Sequence, residues 1–305
     1  MKRNFVIFLI LVSMAFCGYS QQRAMFTQYM FNGLALNPAY AGSHESISAT
    51  ALSRTQWVGI DGAPTTSTFS IHSPIPGKYI SIGAVFSIDK IGVTRENSFV
   101  LSYAYHIEVL NGKLSMGLQG GIRNTLVSYG ELAAQDPNLQ STASGVLPNF
   151  GVGVYYYSKR FYAGVSVPTA LRNRWSAGYS TNTFDEITTI DVPHYFATAG
   201  YVFELTPLMK FMPSVLFKAV PGAPTDIDLN ASIILDDKVW AGLSYRSFDA
   251  LSIFFNIQVS TPISIGYAFD YALTSLNQVS SGSHEIMLNY RFVYSKSKIV
   301  TPRYF

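Results

Sequence analysis

A chain of 305 residues with 48% hydrophobic, 14% aromatic and only 13% charged residues is poor in charge beside a soluble protein, which carries about 25%. Its formal charge of +3 is too small and too scattered to suit a nucleic-acid partner, whose phosphates demand clustered cations. Beyond the first 20 residues there is no run of 18 or more apolar residues, which excludes helical membrane spans.

Residues 1–20 read as an export signal. Lys2 and Arg3 form a basic start, Phe5 to Phe16 an apolar core, and Gly18 and Ser20 supply the small residues before a cut. The core is too short to anchor the chain in a bilayer. Lipidation at Cys17 is the lesser alternative, because Phe16 is bulky for the residue before a lipidated cysteine. Removing the signal takes two positive charges from +3, leaving about +1, and removes the one cysteine. The rest has no disulfide framework, thiol nucleophile or thiolate metal site.

Residues 21–45 keep neither a period of 2 nor one of 3.6. The stretch Gln28-Tyr29-Met30-Phe31-Asn32-Gly33-Leu34-Ala35-Leu36-Asn37-Pro38-Ala39-Tyr40-Ala41-Gly42 is punctuated as turns by Asn37-Pro38 and Ala41-Gly42. A second block follows, Arg54-Thr55-Gln56-Trp57-Val58-Gly59-Ile60-Asp61-Gly62-Ala63-Pro64. Together the two blocks, within residues 26–66, resemble the N-terminal signature of the PorP/SprF family, outer-membrane proteins of the type IX secretion system of Bacteroidota. The resemblance implies a non-enzymatic component that supports export or surface attachment of a partner protein, including adhesins of gliding motility, and that contacts periplasmic parts of the machine. It singles out Gln28, Tyr29, Phe31, Asn32, Asn37, Pro38, Tyr40, Gly42, Arg54, Gln56 and Trp57 as candidate partner-binding residues. For Trp57 two readings stay open, a ring at the membrane interface or a part of the signature.

Downstream the pattern changes to a period of 2. In 262–272, Ile263, Ile265, Tyr267, Phe269 and Tyr271 share one face while Ser264, Gly266, Ala268 and Asp270 share the other. The segments 250–260 and 113–123 repeat this. Scanning predicts fourteen strands: 46–54, 66–73, 78–88, 96–107, 113–123, 149–157, 160–167, 194–206, 209–219, 225–236, 238–246, 250–260, 262–272 and 283–294. Links after even-numbered strands are tight and those after odd-numbered ones tend to be long, as in 124–148 and 168–193. Outer-membrane barrels place short turns in the periplasm and long loops outside. The expected fold is therefore all-β, a transmembrane antiparallel barrel of about fourteen strands over 46–294, with both termini periplasmic. Segment 21–45 is expected at or in that barrel as a plug or docking element on the periplasmic side, and 295–305 as a basic tail. An exported β-sandwich or propeller would also alternate, but would show Lys and Glu on the face that is apolar here. Pro213, inside a predicted strand, is expected at a bulge.

Catalytic patterns are sparse. His44, His72, His106, His194 and His284 have no metal-ligand spacing, and no nucleophile elbow, phosphate loop or dinucleotide fingerprint occurs. No cofactor or metal is expected. A serine–histidine site assembled across strands stays open, as does a porin-like solute channel. Gly83, Gly117, Gly121, Gly151, Gly153, Gly164, Gly242 and Gly266 all fall on the inward parity. They either relieve wall crowding or leave room in the lumen for polypeptide.

Overall fold

The computed structural model describes residues 25–128, 142–176 and 188–292. The expected signal and the C-terminal tail lie outside the described residues. In chain order the strands are β1 (Ile47–Thr55), β2 (Thr65–Pro74), β3 (Ile80–Ile91), β4 (Thr94–Val109), β5 (Gly112–Ser128), β6 (Thr142–Ser158), β7 (Phe161–Thr169), β8 (Arg174–Ser176) and β9 (Thr188–Ile190). They continue as β10 (His194–Tyr201), β11 (Phe203–Thr206), β12 (Met209–Ala219), β13 (Asp226–Leu235), β14 (Val239–Arg246), β15 (Ala250–Gln258), β16 (Ile263–Ala272) and β17 (Ser283–Phe292). Neighbouring wall strands pair antiparallel, β1 closes onto β17, and β10 joins β7 to β12. The result is a closed barrel of fourteen strands, with β11 as a short extra strand that prolongs β10. The hairpin β8–β9 forms a separate sheet.

Every one of the fourteen predicted segments is a wall strand, 194–206 covering both β10 and β11. The bulge expected at Pro213 is not found; what is missing there is a stretch of pairing, with the register kept on both sides of it (Gly200↔Ser214 and Phe203↔Phe211). Register against β13 runs unbroken through Pro213↔Ala231, while the ladder on the other side is interrupted between β10 and β11 at Val202. Proline has no N–H for that side, and the partner strand lets go there.

The alternation is an inverted one. Along β15, Ser252, Phe254 and Asn256 are buried while Leu251, Ile253, Phe255 and Ile257 are exposed. Apolar side chains on the outside of a closed wall face lipid, and closure leaves no wall edge unpaired in the hydrocarbon. Connections 75–79, 110–111, 159–160, 207–208, 236–238 and 259–262 gather at one end, called here the short-turn end. The opposite, long-loop end holds 56–64, 170–176, 188–193, 220–225 and 273–282, together with the tight links 92–93 and 247–249.

The interior is where the core sits. One buried cluster joins Leu34, Ala39, Tyr40 and Ala41 to Tyr155, Tyr157, Tyr162, Met212 and Ile234. A second joins Met25, Phe26, Tyr29 and Met30 to Leu52, Leu216, Phe254 and Met287. In both, the N-terminal segment supplies half of a packing interface whose other half is the inner wall. A barrel of this girth is wider than its own side chains can fill, and this segment takes up much of the remaining space.

Candidate functional site

Three short 3-10 turns shape the segment inside the barrel: Tyr29–Phe31, Gly33–Ala35 and Pro38–Tyr40. The third is built by the Asn37-Pro38 pair. The Asn37 side chain caps the turn by accepting from Ala39 N at 2.9 Å, and Pro38 sits at its first position, where no N–H is needed. Gly42 closes the motif at φ +77°, and a Cβ there would fall 1.9 Å from Ser81 Oγ, so only glycine fits.

The segment runs through the lumen from the long-loop half to the short-turn end. At the start, Thr27 N and Gln28 N donate to the two carboxylate oxygens of Glu285 at 2.9 and 2.8 Å, and Thr27 Oγ1 donates to Asp270 at 2.7 Å. Arg54 completes the cluster, with Nη2 2.6 Å from Asp270 and Nη1 3.2 Å from Glu285, and with Nη1 donating to Thr27 Oγ1 at 3.0 Å. All three ionic side chains are at most 3% exposed. Arg54 reaches both carboxylates, and the backbone amides of the segment give Glu285 two further donors.

Further along, Asn230 donates to Tyr29 Oη at 2.6 Å, and Phe31 lies edge-on to Trp240 with ring centroids 6.3 Å apart. Asn32 accepts from Ser70 at 2.7 Å. Ser166 donates to Leu36 O at 2.7 Å and Ser115 to Ala39 O at 2.6 Å. Asn37 Nδ2 donates to Val154 O at 3.1 Å and Val165 O at 3.4 Å, which are carbonyls of β6 and β7 on either side of one seam. Tyr40, buried between His72 and Tyr155, shares a hydrogen bond of 3.0 Å with His44 Nε2. Gly42 N donates to His72 Nδ1 at 3.1 Å, which fixes that ring nitrogen as an acceptor. Glu45 pairs with Lys113 at the short-turn rim.

Five of the inward glycines face this segment. A Cβ on Gly117 would lie 2.2 Å from Ala39 N, one on Gly153 2.1 Å from Asn37 Oδ1, and one on Gly266 2.1 Å from Gln28 Oε1. Gly83 meets Leu34, and Gly164 meets Asn37 as well as the Tyr155 ring. Gly121, Gly151 and Gly242 instead accommodate neighbouring wall atoms. Both readings of the inward glycines therefore hold, at different positions.

The structure brings together Gln28, Tyr29, Phe31, Asn32, Asn37, Pro38, Tyr40, Gly42 and Arg54 in the lumen. Arg54 is part of the wall, so the second block of the motif reaches the first through the shared carboxylates. Gln56 and Trp57 lie elsewhere, in the turn after β1, where Gln56 N donates to Pro64 O and Trp57 N to Ser283 Oγ. Trp57 is half-buried there with a left-handed backbone, φ +46°. Asp270, Glu285 and the serines of the inner wall are the contact residues that sequence reasoning did not single out. Their signal was polar residues at inward positions, which many barrels share. Among the described residues no group of His, Cys, Asp or Glu could hold a metal ion.

A closed barrel with a lipid-facing outer wall and a lumen occupied by its own N-terminal segment defines an outer-membrane β-barrel protein. The family model described as "Type IX secretion system membrane protein PorP/SprF" matches residues 18–290, and the chain belongs to that family. Among solved structures it is similar to the CymD monoaromatic hydrocarbon channel, at 12% identity over 93% of this chain and 97% of that one, with a TM-score of 0.50. It is also similar to a Pseudomonas aeruginosa FadL homologue, at 10% identity over 90% of this chain and 96% of that one, with a TM-score of 0.48. At such identities the likeness concerns the barrel fold alone. A comparison with curated proteins found no match.

Proposed function

We propose that this chain is a non-enzymatic outer-membrane component of type IX secretion that supports export or surface attachment of a secreted, adhesin-type partner while its own lumen stays shut. The short-turn end faces the periplasm, as in other outer-membrane barrels, and there it meets periplasmic parts of the machine. The observation that carries this reading is the N-terminal segment bound along the length of the lumen. Its backbone and side chains bond to β1, β2, β5, β6, β7, β13, β16 and β17. A segment held on so many strands is a plug, and a plugged barrel suits a platform better than a solute pore. The signature residues then serve the plug first, and any partner meets the surface that they support.

The test is secretion in the native cell. Removing the chain is expected to leave a defined secreted protein inside the cell or unattached at its surface, read by mass spectrometry of cell and medium fractions. The same experiment with small-solute uptake as the readout is expected to show no change. Loss of uptake with normal secretion would replace this reading by the porin-like one.

A further inference from the structure

The wall is uneven in height. A strand crosses the membrane with about 9–11 residues; β7 has 9, but β4 has 16 and β5 and β6 have 17 each. At the long-loop end β5 and β6 run on together, to Ser128↔Thr142, well past the last pair of β6 with β7. β6 pairs with β5 along its whole length, Thr142 to Ser158, yet β7 pairs with β6 only from Val152 to Tyr157. Just above that, Ala170 N donates to Phe150 O and Asn173 Nδ2 to Pro148 O, both at 2.8 Å. Further up the same edge, Ser144 and Val146 turn their N–H and C=O the same way, and no described residue pairs them. Val146 is 64% exposed.

Beside this edge a cavity of about 430 Å³ opens in the lumen, within the range of ligand-binding pockets. Leu147, the inward neighbour of Val146, lines it, and Leu36 of the N-terminal segment forms part of its floor. Its charged lining is three carboxylates, Asp89, Glu96 and Asp191, around one guanidinium, Arg123, which pairs with Asp191 and, at 3.4 Å, with Glu96. Asp89 accepts from Thr66 at 2.6 Å.

We infer that the upper edge of β6 and this cavity together receive an extended segment of a partner polypeptide. The segment adds as a strand to β6 at Ser144 and Val146. Its alternate side chains enter the cavity, apolar ones against Leu36 and Leu147 and a basic one toward Asp89. An unpaired strand edge in water is a template for main-chain pairing, with pockets for alternate side chains giving selectivity. A small apolar ligand would use the cavity and leave the edge unpaired, which is why a polypeptide fits better. The inference rests on the reading of this chain as a partner-binding secretion component and names where that partner binds.

The test uses the full chain in detergent micelles and an acetylated six-residue peptide alternating leucine with threonine and lysine. Its control is the same peptide N-methylated at alternate amides, which cannot add as a strand. With the first peptide at saturating concentration, amide exchange at Ser144 and Val146 is expected to slow by about tenfold or more, and with the control not at all. Val146→Pro removes the donor that faces this edge and leaves the β5–β6 ladder, which uses the alternate residues; it should abolish protection at Ser144, while Val146→Thr should keep it. Exchange unchanged by either peptide, equal protection by both, or protection that persists in Val146→Pro would overturn the inference. In cells, Val146→Pro with intact secretion and attachment would overturn the role of the edge alone. Normal secretion and attachment without the chain would overturn the reading on which it rests.

Discussion

Arg54 is the residue at which the two blocks of the signature meet. Its guanidinium bridges Asp270 and Glu285, and those carboxylates in turn hold Thr27 and Gln28. Replacing Arg54 by alanine leaves two buried carboxylates without their cation, and breaking a buried pair in this way costs about 3–5 kcal/mol. Arg54→Ala is therefore expected to lower the midpoint of urea unfolding in micelles and to loosen residues 25–28, read as faster proteolysis near the N-terminus. An unchanged midpoint would show that the cluster does not hold the segment. The paired glycines of β5 give a cleaner contrast. A Cβ on Gly117 meets the backbone of Ala39, whereas one on Gly120 meets nothing within 4 Å. Overpacking typically costs about 1–3 kcal/mol, so Gly117→Ala should destabilise by roughly that amount and Gly120→Ala hardly at all. Equal effects would mean that Ala39 is not seated on that glycine.

The strands were legible because lipid on one side and lumen on the other impose a period of 2 over every crossing. Phe255 and Tyr267 face outward and Gln258 lies at the wall's rim, donating to Ser260 O and Thr261 O. Arginine on the lipid face at mid-bilayer costs about 2–4 kcal/mol, so Phe255→Arg and Tyr267→Arg should impair folding, measured by heat-dependent gel mobility. Gln258→Arg should be mild, and equal tolerance at all three would reject the orientation of the wall. The hairpin β8–β9 escaped notice because its strands have three residues each, too few to show a period. The path of the N-terminal segment was hidden for a different reason. Thr27 and Glu285 are 258 residues apart, and nothing local in either marks the other as its partner. The glycines were legible by parity, but their neighbours divide into segment and wall only in three dimensions.

At the scale of the molecule, the barrel and its N-terminal segment form one packing unit. A wall that is apolar outside has its only described hydrophobic clusters in the lumen, and both include the segment. Sequence placed the segment at one end of the barrel; in the structure it runs the length of the lumen, from Glu285 and Asp270 near the long-loop end to Lys113 at the short-turn rim. Backbone donors are drawn to the carboxylates at the far end, while Tyr40 and Gly42 fit the histidines and Ser81 at the near one. The central claim is that this segment closes the barrel, and single-channel recording in planar bilayers tests it most directly. The intact chain is expected to show no steady conductance, and a chain lacking residues 25–41 but retaining residues 1–24 is expected to conduct. Steady ohmic conductance from the intact chain, at a level that the deletion leaves unchanged, would contradict the account.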